Sequence, residues 1–267
     1  MYGAIAGNMI GASYEFDMST KVKEFPLFRL GSQFTDDSVM TVSVAEALMD
    51  SIGESDDEVK AALVRSMKKW GEKYPDAGYS NMFYQWLHAA DPKPYGSYGN
   101  GSAMRVSSAG WLYDTVEGNR HMARMTAEVT HNHPEGIKGA EATALVIYLS
   151  RMGCVKEEIK AYIIREFDYN LSRTCDEIRQ TYYHVETCQQ TVPEAITAYM
   201  EVTDFEDVIR TAVSLGGDCD TLTSIAGGMA EAFYGMPDFI KGEVRNRLPD
   251  DMLMVCERFT GEIRNRK

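Results

Sequence analysis

Apolar residues return every three or four positions along most of this chain, and that spacing confines it to helices. After Asp220-Thr221 the series Leu222, Ile225, Ala226, Met229, Ala230 and Phe233 marks one helical face, which Gly235 and Pro237 bring to a stop. Upstream, Asp204 is placed to cap a helix carrying Phe205, Val208, Ile209, Ala212 and Val213 that ends at Gly216-Gly217. Ser55 with Glu58 reads as a capping box, with Val59, Ala62, Leu63, Met67 and Trp70 turned inward. The same periodicity predicts helices over 36–50, 121–131, 136–152 and 156–167. Alternating strand patterns are nearly absent, and the Asn100-Gly101 pair sits inside a glycine-rich loop rather than between two alternating runs. The expectation is a compact all-α, single-domain orthogonal helical bundle over 1–267, with 168–195 as a polar, irregular stretch.

Charge narrows the partners. With 27 Lys+Arg against 40 Asp+Glu the formal net charge is −13, so bulk electrostatics repels nucleic acid and anionic membranes. A small anionic substrate meets the same repulsion unless cations are placed locally, and metal ions would supply them. The five cysteines, Cys154, Cys175, Cys188, Cys219 and Cys256, are widely spaced without a C-x-x-C pair. That argues against a disulfide framework and against structural zinc, and suits a reducing compartment. No apolar run approaches the ~18 residues of a membrane helix, and the N-terminal segment has no basic leader, so a cytoplasmic protein is expected.

Two acidic helix openings stand out. In Phe34-Thr35-Asp36-Asp37-Ser38, Thr35 falls where an N-cap belongs, ahead of a helix apolar on most sides. Capping alone explains a hydroxyl and acids at a helix start. Two adjacent carboxylates opening a buried helix repel each other where water is scarce, and a cation would relieve that. In Leu215-Gly216-Gly217-Asp218-Cys219-Asp220-Thr221, the glycines permit an unusual turn, and Asp218 and Asp220, read as two apart in an extended turn, can point the same way. This oxygen-only set suits Mg²⁺ or Mn²⁺. Capping would need only one of these acids, and the recurrence of the pattern favours metal.

Other segments carry weaker signals. Tyr98-Gly99-Asn100-Gly101-Ser102-Ala103-Met104-Arg105 is a glycine-rich loop running into a helix, able to present N–H groups to an anion. Arg105 reads equally as an ion-pair residue. Thr130-His131-Asn132-His133-Pro134 holds a His-x-His, but no Cys or third His nearby completes a zinc site, leaving backbone-bonded imidazoles or a substrate contact. Gly3, Gly7 and Gly11 recur every four residues and make a smooth helix face, followed by Glu15, either a surface carboxylate or a functional one.

Together these segments resemble the ADP-ribosylglycohydrolase family. The matching stretches, GAIAGNMIGASYEF, FTDDSVMT, YGNGSAMRVSSAGW, THNHPEGIKGA and SLGGDCDTLTSIAGGMAEAFYG, stand in the family's order from residue 3 to about 237. The resemblance implies an all-α fold with a central di-metal cleft holding two divalent cations, Mg²⁺ or Mn²⁺. It implies Thr35, Asp36, Asp37, Asp218, Asp220 and Thr221 as metal ligands, and Glu15 as a glutamate beside the metals. It implies that the loop with Gly99, Asn100, Gly101, Ser102 and Met104 holds ADP-ribose, and that His131 contacts the ligand. Two departures are Asn8, where the family often has Asp, and Ser108, where proline is frequent.

The implied activity is hydrolysis at the anomeric carbon of the distal ribose of an ADP-ribosyl conjugate, with Glu15, Asp36 or Asp218 moving the proton. The partner would be an ADP-ribosylated protein or a small-molecule ADP-ribose conjugate, ADP-ribosyl-arginine foremost. A non-catalytic, crystallin-like ADP-ribose binder and a metal-dependent ADP-ribose pyrophosphatase are the competing expectations.

Overall fold

The computed structural model describes residues 1–16 and 21–266. Among these the chain forms α1 (Tyr2–Ala12), α2 (Asp36–Asp50), α3 (Asp56–Lys73), α4 (Asn81–His88), α5 (Gly101–Met104), α6 (Ser107–Leu112), α7 (Val116–Glu128) and α8 (Pro134–Arg151). It continues through α9 (Lys156–Phe167), α10 (Cys175–Thr181), α11 (Cys188–Glu201), α12 (Phe205–Leu215), α13 (Cys219–Tyr234), α14 (Asp238–Arg247) and α15 (Asp250–Asn265). The β pairing seen among the described residues is one isolated antiparallel bridge between Gly99 and Thr187. The all-helical expectation therefore holds. No helix of the described residues is long and apolar enough to cross a membrane.

Local chemistry explains most boundaries. Ser55 and Glu58 exchange the reciprocal bonds of a capping box at the head of α3. The Asp204 carboxylate accepts the Asp207 N–H at 2.9 Å to open α12. The helix expected over 121–131 starts earlier, at Val116, because the Thr115 hydroxyl accepts the Gly118 N–H at 3.0 Å and caps it there. The one expected over 136–152 begins at Pro134, a residue suited to the first helical turn. The stretch 168–195 is more regular than its polar sequence indicated. It contains α10, opened by a Thr174–Glu177 capping box, and the first half of α11. Only Cys175 and Ile178 of α10 are buried, too few to leave an apolar period in the sequence.

The bundle is organised around α1, which is buried on all sides from Tyr2 to Gly11, and α13, which packs along it. The glycine stripe makes that contact. A Cβ on Gly3 would lie 2.3 Å from the Gly227 carbonyl oxygen, and one on Gly7 would lie 2.1 Å from that of Thr223. On Gly11 it would meet the Asp220 Cα at 2.6 Å. Backbone therefore rests on backbone, and the start of α13, with Asp220, is fixed against the end of α1. The helices α2, α8, α11 and α12 pack around this pair over one apolar core.

Candidate active site

The N-termini of α2 and α13 meet beside α1. Thr35 occupies the N-cap position of α2 and Asp218 that of α13, yet neither side chain makes a capping bond to its helix. The Thr35 hydroxyl instead donates to Asp220 Oδ2 at 3.1 Å, and Thr221 Oγ1 donates to Asp37 Oδ1 at 3.3 Å. Each helix opening thus bonds across to the other, which a capping role does not explain. The expected extended turn for Asp218 and Asp220 is corrected: Asp220 already lies in the first turn of α13, after a bend carried by Gly216 and Gly217 at φ 73° and 76°.

Asp37 is 2 % exposed and Asp218 5 %, while Asp36 and Glu15 are half-buried. Glu15, Asp218 and Asp220 each place a carboxylate oxygen so that the three lie within 4.8 Å of one another. Burial, and then the Asp220 charge, hold the Asp36, Asp37 and Asp218 carboxyls well above the usual carboxylate range. Burial and then Asp220 push Glu15 up to about 7. The main influences on these acids are desolvation and one another.

This donor set fits a hard divalent cation. It consists of carboxylate and hydroxyl oxygens crowded together, and among the described residues Asp37 Oδ2 is buried with no hydrogen-bond partner. An orphaned carboxylate oxygen among repelling acids is the arrangement that an ion would satisfy. The oxygens of Glu15, Asp218 and Asp220 form one candidate metal cluster.

The glycine-rich loop is tied to this centre by Asn100, whose Nδ2 donates to Asp218 Oδ2 at 2.6 Å and to Thr191 Oγ1 at 3.0 Å. Gly99 and Gly101 lie over the buried imidazole of His131, where a Cβ would fall 3.5 Å and 3.2 Å from Nε2. Burial, then the Arg105 charge, hold His131 well below its ordinary value, so the ring is neutral. Arg105 donates to Thr130 Oγ1 at 2.7 Å, and that oxygen lies 2.6 Å from His131 Nδ1. Ser102 turns inward, donating to the Gly136 carbonyl at 2.7 Å, and Met104 is buried. Arg105 is fully buried and donates to the Thr126 carbonyl and the Thr130 hydroxyl, two neutral partners in place of the ion pair expected for it.

Nothing in the residue pattern assigns residues 184–191 to the wall of the site. The Gly99–Thr187 bridge, with Asn100 N–H to the Glu186 carbonyl at 2.9 Å, lays this segment along the loop. His184 and Glu186, bonded at 3.0 Å, both act on the charge of Glu15. Tyr182 packs against Gly217, where a Cβ would lie 2.5 Å from its ring. These are polar residues of a short irregular connection, and no periodic signal could have assigned them.

The described residues thus form an all-helical bundle with an acid-rich, oxygen-donor centre at the junction of two helix N-termini. The family model of ADP-ribosylglycohydrolase matches residues 1–267, and the chain belongs to that family. It is 25 % identical to the human ADP-ribosylhydrolase ARH3 over 327 aligned positions, covering 96 % of this chain and 87 % of the human protein. It is 23 % identical to the ADP-ribosylarginine hydrolase Tri1 of Pseudomonas putida (strain GB-1), covering 88 % and 70 % of the two chains. A solved chain of an ADP-ribosylglycohydrolase-related protein complex has the same fold, with a TM-score of 0.64 at 22 % identity, covering 98 % of this chain and 94 % of that one.

Proposed function

We propose that this protein hydrolyses the glycosidic bond at the distal ribose of an ADP-ribosyl conjugate and releases ADP-ribose. Two divalent cations, Mg²⁺ or Mn²⁺, would be held by Thr35, Asp36, Asp37, Asp218, Asp220 and Thr221. The observation that carries this reading is the meeting of two Thr/Asp helix openings whose side chains bond across to each other rather than cap. When bound, such cations supply the positive charge that draws in an anionic conjugate and makes a sugar hydroxyl or water more acidic.

The chain's own residues supply the rest. Glu15, with its carboxyl pushed up to about 7, can release and take back a proton near neutral pH and is the proposed acid/base. Asp36 and Asp218 are the other two acids proposed to assist proton transfer. Cleavage builds positive charge on the ribose ring, which neighbouring carboxylates stabilise. Asn100 couples the loop to Asp218, so a diphosphate and ribose lying on Gly99–Met104 would be registered against the reacting carbon. The neutral His131 supports that loop from below, and the arginine-directed relative in Pseudomonas putida supports ADP-ribosyl-arginine as the substrate.

The test is a panel of ADP-ribose conjugates assayed with Mg²⁺ and with Mn²⁺, alongside Asp37→Ala and Asp218→Ala. Intact ADP-ribose should be released by the parent protein and not by either folded variant. Full activity of either variant in metal-free buffer would end the proposal. AMP as the product would assign diphosphate cleavage instead, and tight ADP-ribose binding without turnover would mark a binder.

A further inference from the structure

Asn8 is the residue that joins the three elements of the centre, and its chemistry differs from that of the acids around it. It lies on α1, is fully buried, and uses both ends of its amide. Its Oδ1 accepts the Thr35 backbone N–H at 2.9 Å and the Ser38 hydroxyl at 2.6 Å. Its Nδ2 donates to Thr35 Oγ1 at 2.6 Å and faces Asp220 Oδ2 at 3.3 Å. The orientation of the amide is fixed by chemistry: a backbone N–H can only donate, so the atom facing it is the oxygen, and the nitrogen faces Thr35 Oγ1 and Asp220.

This arrangement decides where the Thr35 hydroxyl points. With one lone pair occupied by the Asn8 amide, Thr35 sends its own proton to Asp220 Oδ2. Its remaining lone pair is left with a single direction. We propose that Asn8 is a positioning residue that sets the Thr35 hydroxyl and Asp220 as one unit for cation binding, through a donor that an unprotonated carboxylate at this place would lack. Placed on α1, which the glycine stripe fixes against α13, the amide also carries the register of α2 to the acids of α13. The inference rests on the reading above that Thr35 and Asp220 hold a cation.

The test measures Mn²⁺ uptake by electron paramagnetic resonance, using the free-ion signal for affinity and the bound-ion spectrum for its surroundings. The proteins are the parent chain, Asn8→Ala, Thr35→Val and the double variant, each checked for fold by circular dichroism. Asn8→Ala should bind Mn²⁺ about 10- to 100-fold more weakly, as loss of an orienting partner does. Its bound-ion spectrum should change in the manner of Thr35→Val, and the double variant should bind about as weakly as the weaker single one. Parent-like affinity in folded Asn8→Ala, or losses that multiply in the double variant, would overturn the inference. If Asn8→Ala does not fold, Asn8→Asp decides, since it keeps the acceptor bonds and removes the donor. An altered bound-ion spectrum in Asn8→Asp supports the assignment, and a parent-like one refutes it. A parent chain that takes up no Mn²⁺ would remove the functional reading itself and this inference with it.

Discussion

Thr35 and Asp220, 185 residues apart in the chain, share a hydrogen bond of 3.1 Å between the openings of two different helices. Thr35 stands at a cap position without capping, so its hydroxyl has been given to a partner supplied by the tertiary fold. The contrast with Ser55, which does cap its helix, gives a direct test. Ser55→Ala should cost about 0.5–2 kcal/mol of stability and leave activity intact. Thr35→Ala should cost the metal-free protein about 1–3 kcal/mol, because the buried Asn8 amide loses its acceptor, and should also remove most divalent-cation binding and conjugate hydrolysis. Urea denaturation paired with a turnover assay separates the two.

Asp37 presents the opposite balance. Among the described residues its Oδ2 is buried without a hydrogen-bond partner and beside other acids, an arrangement that disfavours the metal-free fold. Asp37→Asn should therefore stabilise the metal-free protein at pH 8 by about 0.5–2 kcal/mol while abolishing hydrolysis, a trade of stability against function. Thermal melts in chelator give the first quantity and ADP-ribose release the second.

The raised carboxyls also fix the sign of the pH dependence. Glu15, at about 7 in the folded chain against 4.5 ordinarily, holds its proton more tightly folded than unfolded, and Asp36, Asp37 and Asp218 shift the same way. Between those limits the folded state binds more protons, so the contribution is favourable at low pH and is lost as pH rises through the folded values. In chelator, melting temperature should fall from pH 5 to pH 8, after allowance for other groups by comparison with Asp37→Asn. Saturating Mg²⁺ or Mn²⁺ should flatten or reverse that slope, and cation binding should release protons measurable by calorimetry in buffers of different ionisation enthalpy.

The α1–α13 contact predicts an asymmetry between two glycines. A Cβ on Gly7 would fall 2.1 Å from the Thr223 carbonyl oxygen, so Gly7→Ala must push two central helices apart. It should cost about 1–3 kcal/mol and reduce cation affinity by moving the head of α13. Gly242, within α14, has no described residue within 4 Å of a Cβ, and Gly242→Ala should stabilise the protein by roughly 0.4–1 kcal/mol. Chemical denaturation of both variants checks the pair.

Helices with one well-buried face, α3, α12 and α13 among them, were legible in the residue order, because burying one face of a helix imposes a period there, and caps such as Ser55–Glu58 and Asp204 are local. The sequence by itself also showed Gly3, Gly7 and Gly11 as a packing face and the two Thr/Asp clusters as unusual, since each of these is written within a few consecutive positions. The partners of those features were decided only by the tertiary structure. That the glycine stripe rests on α13, that Asn8 joins Thr35 to Asp220, and that His184 and Glu186 act on the charge of Glu15 depend on the packing of segments up to 228 residues apart. Such contacts leave no period in the sequence, because a buried hydrogen bond or a wall of polar side chains constrains single residues and not their spacing.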